Sequence, residues 1–189
     1  MVRKRFVKEK VKKRIFLKRV KSRLDSEVGN YFRLLFEKQS EDPKYPKAGF
    51  WTGIRLIMPI VDALSSVLFK EGSKDRRPKA VRFMGKELEI EYPFIVWEMY
   101  RHSLVHGDEM RGISYRNKRV RWGLSINLDS HIFLTGQSSI DVVKLYEDLM
   151  AFLKREIPKA EGFVYVDRHV KYSRNIKQEL KKEILKIQD

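Results

Sequence analysis

The sequence predicts a mainly α-helical fold with a β-hairpin or meander inserted before the last helix of the bundle. Apolar residues recur every three to five positions along most of the chain, the spacing that gives a helix one buried face. Residues 113–136 instead alternate with period two, and β-branched and aromatic side chains are interleaved there with Arg and Ser. The 189 residues are 42% hydrophobic and 12% aromatic, too much apolar surface to leave in water, and enough for one sizeable core.

Along the chain, Val7, Val11, Ile15, Val20, Leu24, Val28, Phe32 and Leu35 fit a helix through residues 4–38. They fit equally a break near Ser22, where Ser22 with Asp25 three residues on would cap a second helix. Two prolines and a glycine make residues 40–49 a loop. Phe50 to Phe69 is apolar nearly all round and long enough to raise a membrane span. Arg55 and Asp62 are costly in hydrocarbon, so a core helix bent at Pro59 is expected instead. Residues 70–79 read as a charged loop, followed by a short helical turn around Val81 to Leu88. Pro93 opens the next helix, whose inward stripe is Val96, Met99, Tyr100, Ser103 and Leu104, and Gly107 can end it.

In the alternating segment, Asn117-Lys118 and Asp129-Ser130 supply turns. Ser138 or Ser139 is expected to cap a last long helix with Val142, Leu145, Tyr146, Leu149, Phe152 and Leu153 on one face, stopped by Pro158. Phe163 to Tyr172 is ambiguous. A final helix from Ser173 places Ile176, Leu180, Ile184 and Ile187 on one narrow stripe.

Charge bounds the partners. Formal net charge is +16 and the pI is near 10.0, which favours RNA, DNA or an anionic surface. Residues 1–23 hold 12 Lys/Arg against Glu9 alone, a net +11 that leaves +5 for the rest. The excess is therefore mostly a basic N-terminal arm, and Arg3, Lys4, Arg5, Lys12, Lys13 and Arg14 are its candidate phosphate contacts. The stretch YRNKRVRW (residues 115–122) sets Arg116, Arg119 and Arg121 between Tyr115 and Trp122, a mixture that pairs with phosphates and stacks on bases. With no cysteine, disulfides, thiolate metal sites and thiol nucleophiles are excluded. Lys and Arg interrupt the N-terminus too often for a signal peptide, so a cytoplasmic location is expected.

The densest chemistry lies in MYRHSLVHGDEM (residues 99–110), which packs Arg101, His102, His106 and Asp108 into eight positions at a helix end. Arg101-His102-Ser103-Leu104-Val105-His106 resembles the Arg-x4-6-His motif of HEPN domains, in which a polar residue follows the arginine. HEPN domains are compact helical bundles, many of them metal-independent endoribonucleases of toxin–antitoxin, CRISPR and antiviral systems. The resemblance implies a HEPN-like domain over residues 24–157 between the basic arm and a C-terminal extension, 158–189. The strands at 113–136 depart from the minimal four-helix pattern.

The implied chemistry is coherent. RNA is cut without metal or cofactor when a base takes the 2′-hydroxyl proton, an acid protonates the leaving 5′-oxygen, and a fixed cation holds charge on phosphorus. His106 would transfer protons, Arg101 clamp the phosphate, and His102 position one of them. Five positions apart at about 100° per residue, Arg101 and His106 point about 140° away from each other. Either the helix unwinds at Gly107 or two subunits face each other across a two-fold axis, so a homodimer is implied.

The expected function is RNA binding, with metal-independent endoribonuclease activity as the catalytic candidate and an antitoxin or other protein as a further partner. The alternative is a non-catalytic HEPN-like scaffold that holds nucleotide, RNA or a partner protein. A plainer reading pairs Arg101 with Asp108 or Glu98 and leaves His106 a buried polar contact. A metal reading takes His102 and His106 at i, i+4 with Asp108, but lacks the rest of a His-Glu-x-x-His motif.

Overall fold

The computed structural model describes the backbone of residues 4–41, 50–69, 77–102, 113–115, 118–125, 132–135 and 137–172, and side chains within 8–38, 40–41, 51–69, 79–100 and 140–166. The chain is mainly helical. Strand β1 (Lys4–Lys12) runs straight into helix α1 (Lys13–Arg23), which widens to i→i+5 bonding over Leu24–Gly29 and narrows again as α2 (Asn30–Glu41). Next come α3 (Phe50–Leu68), α4 (Arg77–Glu87) and α5 (Pro93–Val96), the last continued by a second widened stretch, Trp97–His102. Strands β2 (Ile113–Tyr115), β3 (Lys118–Ser125), β4 (Ile132–Thr135) and β5 (Gln137–Asp141) precede α6 (Val142–Lys159) and β6 (Phe163–Tyr172).

The helices share one core. Helix α3 supplies its centre through Ile54, Ile57, Met58, Val61 and Leu64, all fully buried. By length and composition Trp51–Leu68 could cross a membrane; here its apolar face meets the Leu24–Gly29 stretch, α2, α4 and α6. Leu17, Leu24 and Val28 come from the first helical run, Phe83 and Met84 from α4, and Leu145, Leu149 and Leu153 from α6. Phe83 meets Phe152 edge-on at 5.1 Å, and Phe32 meets Tyr146 edge-on at 5.7 Å.

Several elements differ from what the sequence suggests. Residues 4–12 are a strand and not the start of a helix, because Lys8, Lys10 and Lys12 face water in alternation with half-buried Glu9 and buried Val11. Val7 and Val11, four apart, suit either period. Ser22 caps nothing: the helix continues through it, and an extra residue is accommodated at Leu24–Gly29, keeping Leu24, Val28 and Gly29 all buried. Gly29 suits this turn, since a Cβ there would lie 2.4 Å from the Tyr146 hydroxyl. Helix α4 begins at Arg77, earlier than the turn expected around Val81.

The β segment is longer than expected and is not a simple meander. Its order is β2-β3-β5-β4, with β2–β3 and β4–β5 antiparallel but β3 and β5 parallel. Ser138 and Ser139 therefore lie in β5, and the cap of α6 is Asp141, whose Oδ1 accepts from the N–H groups of Val143 and Lys144 at 3.0 and 2.9 Å. Pro158 falls inside the last turn of α6, and Phe163–Tyr172 resolves as a strand. The final helix expected from Ser173 lies outside the described residues, as does the end expected at Gly107.

The tightest packing is at Gly53 in α3, where a Cβ would come within 2.3 and 2.6 Å of the Phe32 ring. Gly53→Ala is expected to cost about 1–3 kcal/mol by overpacking, read as a lower urea midpoint at unchanged slope. Gly85→Ala, whose methyl would meet Pro93 at 3.2 Å, should cost less; equal losses at the two sites would contradict this helix contact.

Candidate nucleic-acid interface

Strands β1 and β6 form an antiparallel two-stranded ribbon in which Lys8 pairs with Asp167, Glu9 with Val166, Lys10 with Tyr165, Val11 with Val164 and Lys12 with Phe163. Period-two alternation sorts these pairs onto two faces. Val11 and Val164, 8% and 3% exposed, turn inward. The outer face shows Lys8, Lys10 and Lys12 with Phe163 and Tyr165, the two rings being 47% and 58% exposed. Lys10 Nζ sits 4.3 Å from the centroid of the Phe163 ring, a diagonal cross-strand cation–π contact.

A cluster of ammonium groups beside exposed rings has a specific chemical use. Lysines attract phosphate and release counterions, and open aromatic faces stack on unpaired bases. Both groups stand on a paired ribbon, which holds alternate side chains about 6.8 Å apart along one face.

The ribbon is fixed to the helices at one corner. Lys13 N–H donates to the Gly162 carbonyl at 3.0 Å, where the chain turns from α6 into β6. Gly162 takes φ 72° there, a conformation that L side chains rarely adopt. Arg14 completes the corner: its Nε donates to the Ile157 carbonyl at 3.1 Å and its Nη2 to the Pro158 carbonyl at 2.7 Å. Those carbonyls belong to the last turn of α6, where the Ile157 carbonyl also accepts the Ala160 N–H at 3.3 Å.

The residues expected to touch nucleic acid are distributed unevenly. Lys12 lies on the ribbon's outer face, and Lys4 and Arg5 are in β1, opposite Tyr172 and Lys171. Lys13 is half-buried at the start of α1, and Arg14 has its guanidinium engaged in the corner. Arg119 and Arg121 are in β3, paired with Ser114 and Gln137, away from the ribbon in sequence and sheet. Arg3 and Arg116 lie outside the described residues. Arg101 and His102 are the last two residues of the widened stretch after α5, beside buried Met99 and Tyr100. His106 and Asp108 lie outside the described residues, as do the side chains of Arg101 and His102. At the other end of this helix the exposed Tyr92 phenol is held above its ordinary pKa by a hydrogen bond to Glu91 and that residue's charge, and so stays a neutral donor.

Lys8, Lys10, Phe163 and Tyr165 do not stand out in the sequence as contacts. The alternation Lys8-Glu9-Lys10-Val11-Lys12 was the available signal, and its match with Phe163-Val164-Tyr165-Val166 gives the ribbon. Compared with family models, with curated proteins and with solved structures, the chain matches none.

Because Phe163 and Tyr165 are open to solvent, Phe163→Ala and Tyr165→Ala are each expected to change unfolding free energy by no more than about 0.5 kcal/mol. A loss above about 1.5 kcal/mol in chemical denaturation would mean that the rings are packed and do not form an open face.

Proposed function

We propose that the chain binds RNA through the outer face of the β1–β6 ribbon. The observation that carries this reading is the exposed set of Lys8, Lys10 and Lys12 with Phe163 and Tyr165. Charge alone would suit any polyanion; open rings beside ammonium groups suit a strand with unstacked bases, the usual target of sequence-level RNA recognition. Lys4 and Arg5 extend the same strand, with Arg3, Arg116, Arg119 and Arg121 as further phosphate contacts. The reading places the chain in the cytoplasm, with α3 as a core helix and no membrane insertion.

A second reading adds catalysis. It rests on the HEPN resemblance of Arg101-His102-Ser103-Leu104-Val105-His106, with His106 for proton transfer, Arg101 for phosphate charge and His102 for positioning, in a homodimer. It needs no cofactor, and an antitoxin or partner protein would regulate it. The non-catalytic scaffold is its alternative.

Both readings are tested with labelled single-stranded RNA in excess EDTA. Replacing Lys8, Lys10 and Lys12 by Ala should weaken binding and flatten the plot of log affinity against log salt by about 2, at roughly 0.7 per lost contact. Phe163→Ala or Tyr165→Ala should each cost about 1–3 kcal/mol of binding, with the salt slope unchanged. Undiminished affinity in all of these variants sinks the ribbon reading. Cleavage that leaves a cyclic phosphate and is lost in His106→Ala and Arg101→Ala supports the nuclease; binding without cleavage supports the scaffold.

A further inference from the structure

A groove of about 510 Å³ runs between α1 and α6, beginning at the corner that anchors the ribbon. On one side stand Lys18, Lys21, Ser22 and Asp25, spaced i, i+3, i+4 and i+7 so that they share a helix face. On the other are Lys154, Ile157 and Pro158, and the carbonyls of the last two are the ones held by Arg14. A smaller hollow of about 330 Å³ shares Asp25 and Lys154 and continues along α6 past Tyr146. The larger space lies within the roughly 300–1,000 Å³ usual for a small-molecule site, and it has the mixed lining such sites use.

The lining specifies three properties in its occupant. Three ammonium groups call for an anion, and Ile157 with Pro158 offers an apolar wall. Asp25 makes the third demand, because a carboxylate in a groove built for an anion repels the ligand unless it accepts a hydrogen bond from it. Its Oδ1 is already engaged: the Tyr146 hydroxyl donates to it at 3.3 Å, and Arg33 Nη1 lies 3.9 Å away. Both contacts are to the same oxygen of a half-exposed carboxylate, so Oδ2 remains for a donor on the ligand. Burial first, then the charge and hydrogen bond of Asp25, raise the Tyr146 pKa, so that the phenol stays a donor. Anion, apolar face and hydroxyl donor together describe a ribonucleotide; deoxyribose lacks the 2′-donor.

We propose that this groove extends the RNA interface beyond the ribbon, with phosphate against Lys18, Lys21 and Lys154 and a ribose 2′-hydroxyl donating to Asp25, which thereby selects RNA over DNA. The inference rests on the RNA-binding reading of the ribbon. Lys8 to Lys12 spans about 13 Å of strand and Lys12 to Lys21 about 14 Å of helix, which puts ribbon and groove within reach of one nucleic-acid strand. Selection against DNA is partly repulsive: without a 2′-hydroxyl the carboxylate meets phosphate charge uncompensated.

The test compares fluorescence anisotropy of single-stranded RNA and DNA of identical sequence on the full chain. Wild type should bind RNA about tenfold tighter, the size of one charge-assisted hydrogen bond. Asp25→Ala should bring the ratio to near one, chiefly by tightening DNA, and Tyr146→Phe should lower it part-way. Lys10→Ala should weaken both nucleic acids and leave the ratio intact. Lys21→Ala with Lys154→Ala should weaken RNA more than DNA, because the groove is the ribose-selective part of the path. If Asp25→Ala does not fold, Asp25→Asn keeps the shape and should reduce the ratio to about threefold. An RNA preference absent from wild type, or retained in the Asp25 variant, overturns the groove assignment while leaving the ribbon reading standing. Failure of wild type to bind either nucleic acid overturns both.

Discussion

Everything on the proposed binding surface depends on one corner, where the beginning of the chain closes on the end of α6. Arg14 reaches carbonyls 143 and 144 residues away, and Lys13 N–H reaches Gly162. Two isolated strands are marginal in water, so the ribbon needs a support beyond its own ladder. The corner supplies it, together with the burial of Val11 and Val164 on the inner face. The same contact brings the end of α6 beside α1 and thereby opens the groove. An arginine that counts as one more basic residue in the composition is here a structural tie. Lys12, two residues before it, and Lys18, about one helical turn after it, face solvent.

The widened turn at Leu24–Gly29 is the second constraint. An ordinary α-helix would rotate Gly29 out of register with Leu24 and Val28; i→i+5 bonding keeps all three inside. It also carries Asp25 to the point where Tyr146 donates to it. The lack of a side chain at Gly29 lets the phenol come in, and the buried edge-on contact of Tyr146 with Phe32 holds the ring. Phe32 in turn sits against Gly53 of α3. A run of close approaches thus connects the carboxylate in the groove, through the Tyr146 hydroxyl, to the centre of the core.

The sequence makes the interior legible and the ends much less so. The two core helices can be read directly, because α3 is a long apolar run and Leu145, Leu149, Phe152 and Leu153 of α6 are a periodic one, and burial follows in both. The N-terminal strand is not legible from its apolar residues, since Val7 and Val11 are too few to distinguish a period of two from one of 3.6. Its partner is more than 150 positions away, and no local pattern announces a pairing at that distance. Asp141 competes with two serines as the cap, and the strand that runs up to it decides in its favour. The widened turns leave no local signature: Leu24-Asp25-Ser26-Glu27-Val28-Gly29 is ordinary helical sequence except for its glycine. Of the candidate site, the basic residues are visible in composition, whereas the exposed rings and the groove carboxylate emerge only when distant segments meet.

That division separates affinity from selectivity. A net +11 in the first 23 residues guarantees attraction to any polyanion, and it falls steeply with salt because it works by counterion release. Such attraction does not distinguish RNA from DNA or from a membrane surface. The groups able to distinguish them are few and uncharged or negative: Phe163 and Tyr165, which need an open base, and Asp25, which needs a hydroxyl. In the proposed interface the stacking contacts of the two rings act at contact distance and persist when salt has screened the charged groups. On the RNA-binding proposal, therefore, the basic residues concentrate ligand at the surface, and the two rings and the carboxylate determine which ligand remains.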